Sequence, residues 1–103
     1  MTSVTVRDNP SRHRFEAHLD DVLAGFAEYQ LTDELIVFTH TEVDPSYEGK
    51  GVGSALARHA LDETAAAGVR KVLPVCPFFV AYIRRHPEYE PLLFNSRTAT
   101  GVD

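Results

Sequence analysis

A chain of 103 residues, 44% of them hydrophobic and 24% charged, has the length of one domain, able to bury roughly 65% of the surface its unfolded form exposes. A net charge of −5 excludes the broad nucleic-acid footprint that needs a surplus of Lys and Arg, and is compatible with an amine or polyamine partner. No apolar run approaches the ~20 residues that cross a bilayer, and the opening M-T-S-V-T-V-R has no signal-peptide centre, so no membrane contact and a cytoplasmic location are expected.

In chain order, Val4 and Val6 alternate with polar neighbours, D-N-P-S supplies a turn, and alternation resumes with Phe15, Ala17 and Leu19 on one face, as in a hairpin. Asp20-Asp21 makes a second turn before V-L-A-G-F-A-E-Y-Q-L. T-D-E makes a third before residues 35–43, L-I-V-F-T-H-T-E-V, rich in β-branched and aromatic side chains. Four consecutive strands, antiparallel by their short turns, thus fill the first 43 residues. An amphipathic helix follows, with Val52, Leu56, Ala60 and Ala67 on one side and a stop at Gly68. V-R-K-V-L-P-V reads as a short strand, and F-V-A-Y-I-R-R-H as a second helix closed by Pro87. The end of the chain, N-S-R-T-A-T-G-V-D, carries no periodicity and is expected to fray.

The segment Y-E-G-K-G-V-G-S-A-L, Tyr47 to Leu56, sets glycines at alternate positions between a strand and a helix. A helix start leaves several backbone N–H groups unpaired at the positive end of its dipole, and such a concavity favours phosphate. Glycines let a ligand approach the backbone and permit φ > 0, although scattered glycines also serve as plain loop or packing residues. A nucleotide-triphosphate loop, G-x-x-x-x-G-K-[ST], does not fit, because Gly49-Lys50 is followed by Gly51. The dinucleotide fingerprint fails as well, since Ser54 and Leu56 stand where its third glycine is required.

The segment resembles the pyrophosphate-binding pattern [Q/R]-x-x-G-x-[G/A] of the GNAT N-acetyltransferases. The match runs over Glu48-Gly49-Lys50-Gly51-Val52-Gly53 and is preceded by V-D-P-S-Y, similar to that family's V-x-P-x-[YFW]. H-T-E-V, the glycine segment and V-C-P-F-F-V-A-Y-I-R-R-H-P-E-Y together resemble the small single-domain GNAT-like proteins that lack the N-terminal helices. Glu48 departs from the family's Gln or Arg and offers pyrophosphate no attraction, which leaves the backbone amides and Lys50. The resemblance implies a minimal GNAT fold of the α/β (α+β) class over residues 1–93. It would have a mixed, mostly antiparallel sheet of about five strands, two helices, and residues 94–103 as a flexible tail. It implies acetyl-CoA as cofactor, with its pyrophosphate over the amides of Gly51, Val52, Gly53 and Ser54. The pantetheine arm would pair along Thr41, Glu42 and Val43, and Glu48, Gly49 and Lys50 would line the entrance. A monomer or weak homodimer is expected.

Acetyl transfer to an amine needs a neutral nucleophile, stabilisation of the oxyanion and a proton for the departing thiolate. His40, near the end of the strand before the loop, suits a base by its ordinary pKa. Alternation puts it on the same face as Ile36 and Phe38, where it could equally be a structural histidine. Cys76, the single cysteine, follows V-L-P-V and could be a nucleophile, could orient CoA, or could be a packed thiol. Tyr82 lies in A-Y-I-R-R-H-P, resembling the segment from which a family tyrosine protonates the thiolate, and by its spacing from Phe78 and Phe79 could be core instead. His13, His18, His59 and His86 show no metal-ligand spacing, so no metal is expected. Two functions follow: an acetyl-CoA-dependent N-acetyltransferase acting on an amine of a small molecule or protein by direct attack in a ternary complex, or a non-catalytic acyl-CoA-binding or interaction module that keeps the loop.

Overall fold

Alternation in the first half of the chain produces a sheet with one buried face. The computed structural model describes residues 3–94, in which β1 (Val4–Asn9), β2 (Arg14–Leu19), β3 (Val22–Leu31) and β4 (Leu35–Val43) run antiparallel in chain order. Phe15, Ala17 and Leu19 are buried along β2, while Arg14, Glu16 and His18 between them are not. The turn between β2 and β3 is the two-residue Asp20-Asp21, both at positive φ (52° and 66°), the twist that a tight hairpin requires. From β4 the chain crosses through α1 (Val52–Ala67) to β5 (Lys71–Pro74), which adds parallel to β4, and then enters α2 (Pro77–Arg85). The mixed, mostly antiparallel five-stranded sheet expected from the sequence is therefore present, in the order β1-β2-β3-β4-β5. Short 3-10 turns at Pro10–Arg12, Pro45–Tyr47 and Pro87–Leu92 complete it.

Both helices pack on the same face. Val52, Leu56, Ala57, Ala60, Leu61 and Thr64 of α1 are buried against the sheet, and Phe79 of α2 stacks flat on Phe38 of β4, with ring centroids 4.1 Å apart and 9° between planes. Phe38 also meets Phe15 and Tyr29, so one aromatic cluster joins β2, β3, β4 and α2. Thr64, whose hydroxyl donates to the Ala60 carbonyl at 2.8 Å, takes the buried place on α1 that the sequence pattern assigned to Ala67. Ala67, at the end of α1, is exposed and borders an open pocket that Tyr29, Leu31 and Ile36 also line. Beyond Leu92 the chain returns to β5, where the Phe94 amide donates to Val72 O at 2.9 Å; the rest of the expected tail lies outside the described residues. Among the described residues, no helix is long and apolar enough to cross a membrane.

Two phenols make ties distant in sequence: Tyr29 of β3 donates to Asp8 of β1, and Tyr89 of the 3-10 turn Pro87–Leu92 donates to Asp62 of α1, each at 2.6 Å. Burial first, and then these carboxylate acceptors, hold both phenols well above the ordinary tyrosine pKa of 10.0. In the unfolded chain these tyrosines ionise near ~10. The native state then holds more protons, so the stability they contribute is complete below about pH 10 and is lost as pH rises further. Denaturant unfolding from pH 8 to 11 should show stability falling above about pH 10. The fall should be shallower in Tyr29→Phe and Tyr89→Phe, and variants that lose stability as steeply as the parent would contradict the assignment.

Candidate active site

The glycine segment is a turn followed at once by a helix. Asp44 accepts from the Ser46 amide at 2.8 Å and starts the 3-10 turn Pro45–Tyr47; Gly49 and Gly51 then adopt φ of +83° and +80°. A Cβ at either position would meet nothing within 4 Å, so it is the left-handed backbone that requires glycine there, and the space beyond is open. The first helical bond of α1 is Ala55 N to Gly51 O, 3.0 Å, and no side chain caps the helix. The amides of Val52, Gly53 and Ser54 therefore have no intrahelical carbonyl and lie at the positive end of a 16-residue helix. Gly53 is a glycine for another reason. Its φ is not positive, but a Cβ would lie 2.8 Å from Cζ of Phe78, whose ring rests on it.

Beside this turn the sheet opens. β4 and β5 pair only from Leu35↔Lys71 to Phe38↔Pro74. Pro74 has no N–H, and the next two amides, Val75 and Cys76, both donate to the carbonyl of Phe38, at 3.0 and 2.9 Å. The chain then leaves into α2, while β4 continues for five more residues. Opposite the same point, β3 and β4 slip register. Glu28 faces His40 and Tyr29 faces Phe38, which leaves Thr39 as a bulge. Beyond it the Asp44 amide donates to Ala24 O at 2.8 Å. Alternation of the antiparallel ladder then turns the backbone groups of Thr41 and Val43 away from β3, toward the gap that β5 has vacated.

The bulge corrects the alternation read from the sequence. His40 lies not on the Ile36 and Phe38 face but on the opposite one, exposed, with Nε2 3.1 Å from Glu42 Oε1 and its ring 6.2 Å from Phe26. Thr41 and Val43 take the inward positions instead. Cys76 is buried, and its Sγ donates to Thr41 Oγ1 at 3.3 Å, so these two residues meet across the opening. Tyr82 is buried one turn along α2 from Phe78; it stacks on His86 at 4.1 Å, with Phe78 at 6.4 Å on the other side. Burial raises its pKa. The charges acting on the phenol are those of Arg58, which lowers it, and of Asp62 and Glu88, which raise it.

The structure thus brings together the open edge of Thr41 and Val43, the amides of Val52 to Ser54, and Cys76; it leaves His40 on the opposite face, and Tyr82 stands beside Phe78 one turn further along α2. Glu48, Gly49 and Lys50 stand exposed or partly exposed at the mouth. Sequence reasoning missed two residues. Gly25 lets α1 start close to the sheet, since a Cβ there would fall 2.7 Å from Glu42 O and 3.0 Å from Val52 Cγ1; a lone glycine within V-L-A-G-F-A was its signal. Phe78 was read only as spacing for Tyr82. A further pocket, lined by Asp8, Tyr29, Ile36, Glu63 and Arg70, lies at the other end of β4, and its polar groups are already engaged: Tyr29 with Asp8, Glu63 with His59, Arg70 with Thr32 O.

The fold recurs in known proteins. Compared by sequence with curated proteins, the chain matches none. Among solved structures it is similar to the solution structure of a GCN5-like putative N-acetyltransferase from Staphylococcus aureus, with a TM-score of 0.67 and 18% identity over 92% of both chains. It is also similar to a ribosomal-protein-alanine N-acetyltransferase from Brucella melitensis, TM-score 0.57 and 20% identity, covering 80% of this chain and 61% of that one. A third is Arabidopsis thaliana Naa50 in complex with the bisubstrate analogue CoA-Ac-MVNAL, TM-score 0.52 and 21% identity, covering 59% and 44%. The chain thus spans less than two thirds of the last two, and at these identities the likeness shows the fold. A family model described as GCN5-related N-acetyl-transferase matches residues 14–92, most of the described chain, and the protein belongs to that family.

Proposed function

We propose that this protein binds acetyl-CoA in the opening between β4 and β5 and transfers the acetyl group to an amine by direct attack in a ternary complex. The observation that carries the reading is the junction of a glycine turn with free helix-start amides and a strand edge whose backbone groups face an empty gap. A diphosphate needs the first, and an extended arm with amide groups needs the second. The residues present fit the cofactor: space is open beyond Gly49 and Gly51, and no carboxylate caps the helix start. That Arabidopsis thaliana Naa50, similar in fold, is in complex with the bisubstrate analogue CoA-Ac-MVNAL supports CoA as the ligand.

When bound, acetyl-CoA supplies a thioester carbonyl for an amine to attack. The chain's own contribution is position. The amides of Gly51, Val52, Gly53 and Ser54 hold the diphosphate, with Lys50 at the mouth, while Glu48 adds no attraction. Thr41 and Val43 hold the arm as a further strand would, so that its far end reaches Cys76 and the Thr41 hydroxyl. There the Cys76 thiol, already a donor to Thr41 Oγ1, is the group placed to orient the thioester end or to give a proton to the departing thiolate. A second reading, an acyl-CoA-binding module without turnover, is favoured by one observation: His40, the sequence's candidate base, lies on the other face of the sheet.

Binding is tested by melting. At a hundredfold excess over Kd, CoA should stabilise the protein by about 2.7 kcal/mol. Gly51→Val, which forces a β-branched residue to the φ of +80° seen there, should lower the Tm of the free protein and abolish the CoA shift. No shift in the parent protein at millimolar CoA would refute the cofactor assignment.

Chemistry is tested by thiol release from acetyl-CoA with a panel of amines. Cys76→Ala should lower kcat about 10²-fold, the lower end of what a proton-transfer group contributes, and direct transfer should leave no acetyl adduct on the parent protein by mass spectrometry. Tyr82→Phe should stay within about twofold, because the part Tyr82 plays is that of a ring held between Phe78 and His86; a loss of the order of 10²-fold expected of a general acid would return the proton to Tyr82. An acetyl adduct absent from Cys76→Ala would make Cys76 a nucleophile, and no turnover with any amine would leave the binding module.

A further inference from the structure

Phe78 is one of the few large apolar side chains left exposed: 37% of it is accessible, whereas its neighbour Phe79 is fully buried. The tip of its ring fills the place where Gly53 lacks a side chain, with Cζ 2.8 Å and Cε1 3.2 Å from the position of the missing Cβ. The ring is braced along α2, with Tyr82 at 6.4 Å and 27° behind it and His86 at 4.1 Å and 27° behind Tyr82, one helical turn apart in each case. Two residues before Phe78, Cys76 meets Thr41. The first turn of α2 therefore reaches from Thr41, at the inner end of the open β4 edge, to Gly53 in the turn that presents the free amides.

We infer that the Phe78 ring is the wall that recognises the apolar middle of the pantetheine arm, and that Gly53 is a glycine to seat this ring and not to admit phosphate. The inference rests on the proposed binding of CoA in this opening. An arm stretched between the amides of Val52 to Ser54 and the Thr41–Cys76 contact must pass the first turn of α2, where Phe78 offers partly exposed apolar surface. Covering that surface is favourable for the arm's carbon skeleton and offers nothing to a nucleotide that ends at its phosphates. Phe78 would then select CoA and its thioesters over ADP and related diphosphates. Tyr82 and His86 act through Phe78 as positioning residues, stacked behind it along α2.

The test is a double-mutant cycle read by titration calorimetry with CoA and with ADP. Phe78→Ala should raise the Kd for CoA about tenfold and leave that for ADP within twofold. Gly53→Ala displaces the ring, so it should weaken CoA and lower the Tm in the parent background, and should do neither once Phe78 is alanine. Phe78→Gln, which keeps side-chain length but removes the apolar face, gives the same CoA-to-ADP comparison should the alanine variant fail to fold. Equal weakening of CoA and ADP, or a Gly53→Ala cost on CoA that is the same in both backgrounds, would overturn the assignment of Phe78 while leaving CoA binding in place. A parent protein that binds no CoA would remove the proposed function and this inference together, whatever the Tm cycle shows.

Discussion

The carbonyl of Phe38 is the pivot of this structure. It accepts the amides of both Val75 and Cys76, and the residue opposite it on β5 is Pro74, which has no N–H to give. Parallel pairing ends there because there is nothing left with which to continue it. The same residue carries the flat stack on Phe79 that fixes α2 to the sheet. One residue thus ends a strand, starts a helix in a set direction and anchors that helix, and the gap along the rest of β4 follows from all three. A buried stack of this kind contributes of the order of 1 kcal/mol beyond the area it covers. The opening is therefore held by the core itself.

The second constraint is the bulge at Thr39, next to Phe38 on the same strand. A bulge shifts the side-chain period by one, so beyond it every residue of β4 exchanges faces. Thr41 and Val43 turn toward the helices, with their backbone groups toward the gap, and His40 and Glu42 turn out, where they pair with one another. The helix that starts at Val52 approaches this edge closely because Gly25 and Gly53 have no side chains, the one toward Glu42 O and Val52, the other toward Phe78. Free amides, open edge and buried thiol come together through these backbone events.

Much of this was legible in the residues. The strand at 35–43 and its turns follow from β-branched runs between Asp, Asn and Gly clusters, and its observed bounds, Leu35–Val43, are the expected ones. The helix end at Gly68 was equally plain; its amide closes on Thr64 O at 3.2 Å. The glycine segment gave the place of the free amides, and Cys76 the place of the thiol. What was not legible depends on register and on contacts distant in sequence. His40 reads as inward only while alternation is unbroken, and no local residue type announces the bulge at Thr39. Ala67 fits the helical period as well as Thr64 does, but the period does not say that a pocket stays open between the end of α1 and the sheet. The reason for Gly53 lies 25 positions away at Phe78, a pairing that a pattern of alternate glycines cannot contain.

Size bears on the acceptor. The sheet carries its helices on one face, and among the described residues nothing covers the other, where Arg14 lies over the Phe26 ring at 4.5 Å and pairs with Glu16 at 2.8 Å. Whatever delivers the amine meets an opening bordered by strand edge and helix ends. The central claim, that the gap beside β4 takes an extended arm as a further strand, is tested most directly by amide hydrogen exchange under saturating CoA. The amides of Thr41 and Val43 should gain protection, while those of His40 and Glu42, already directed at β3, should change little. Protection spread evenly along β4, or absent from Thr41 and Val43, would contradict the account.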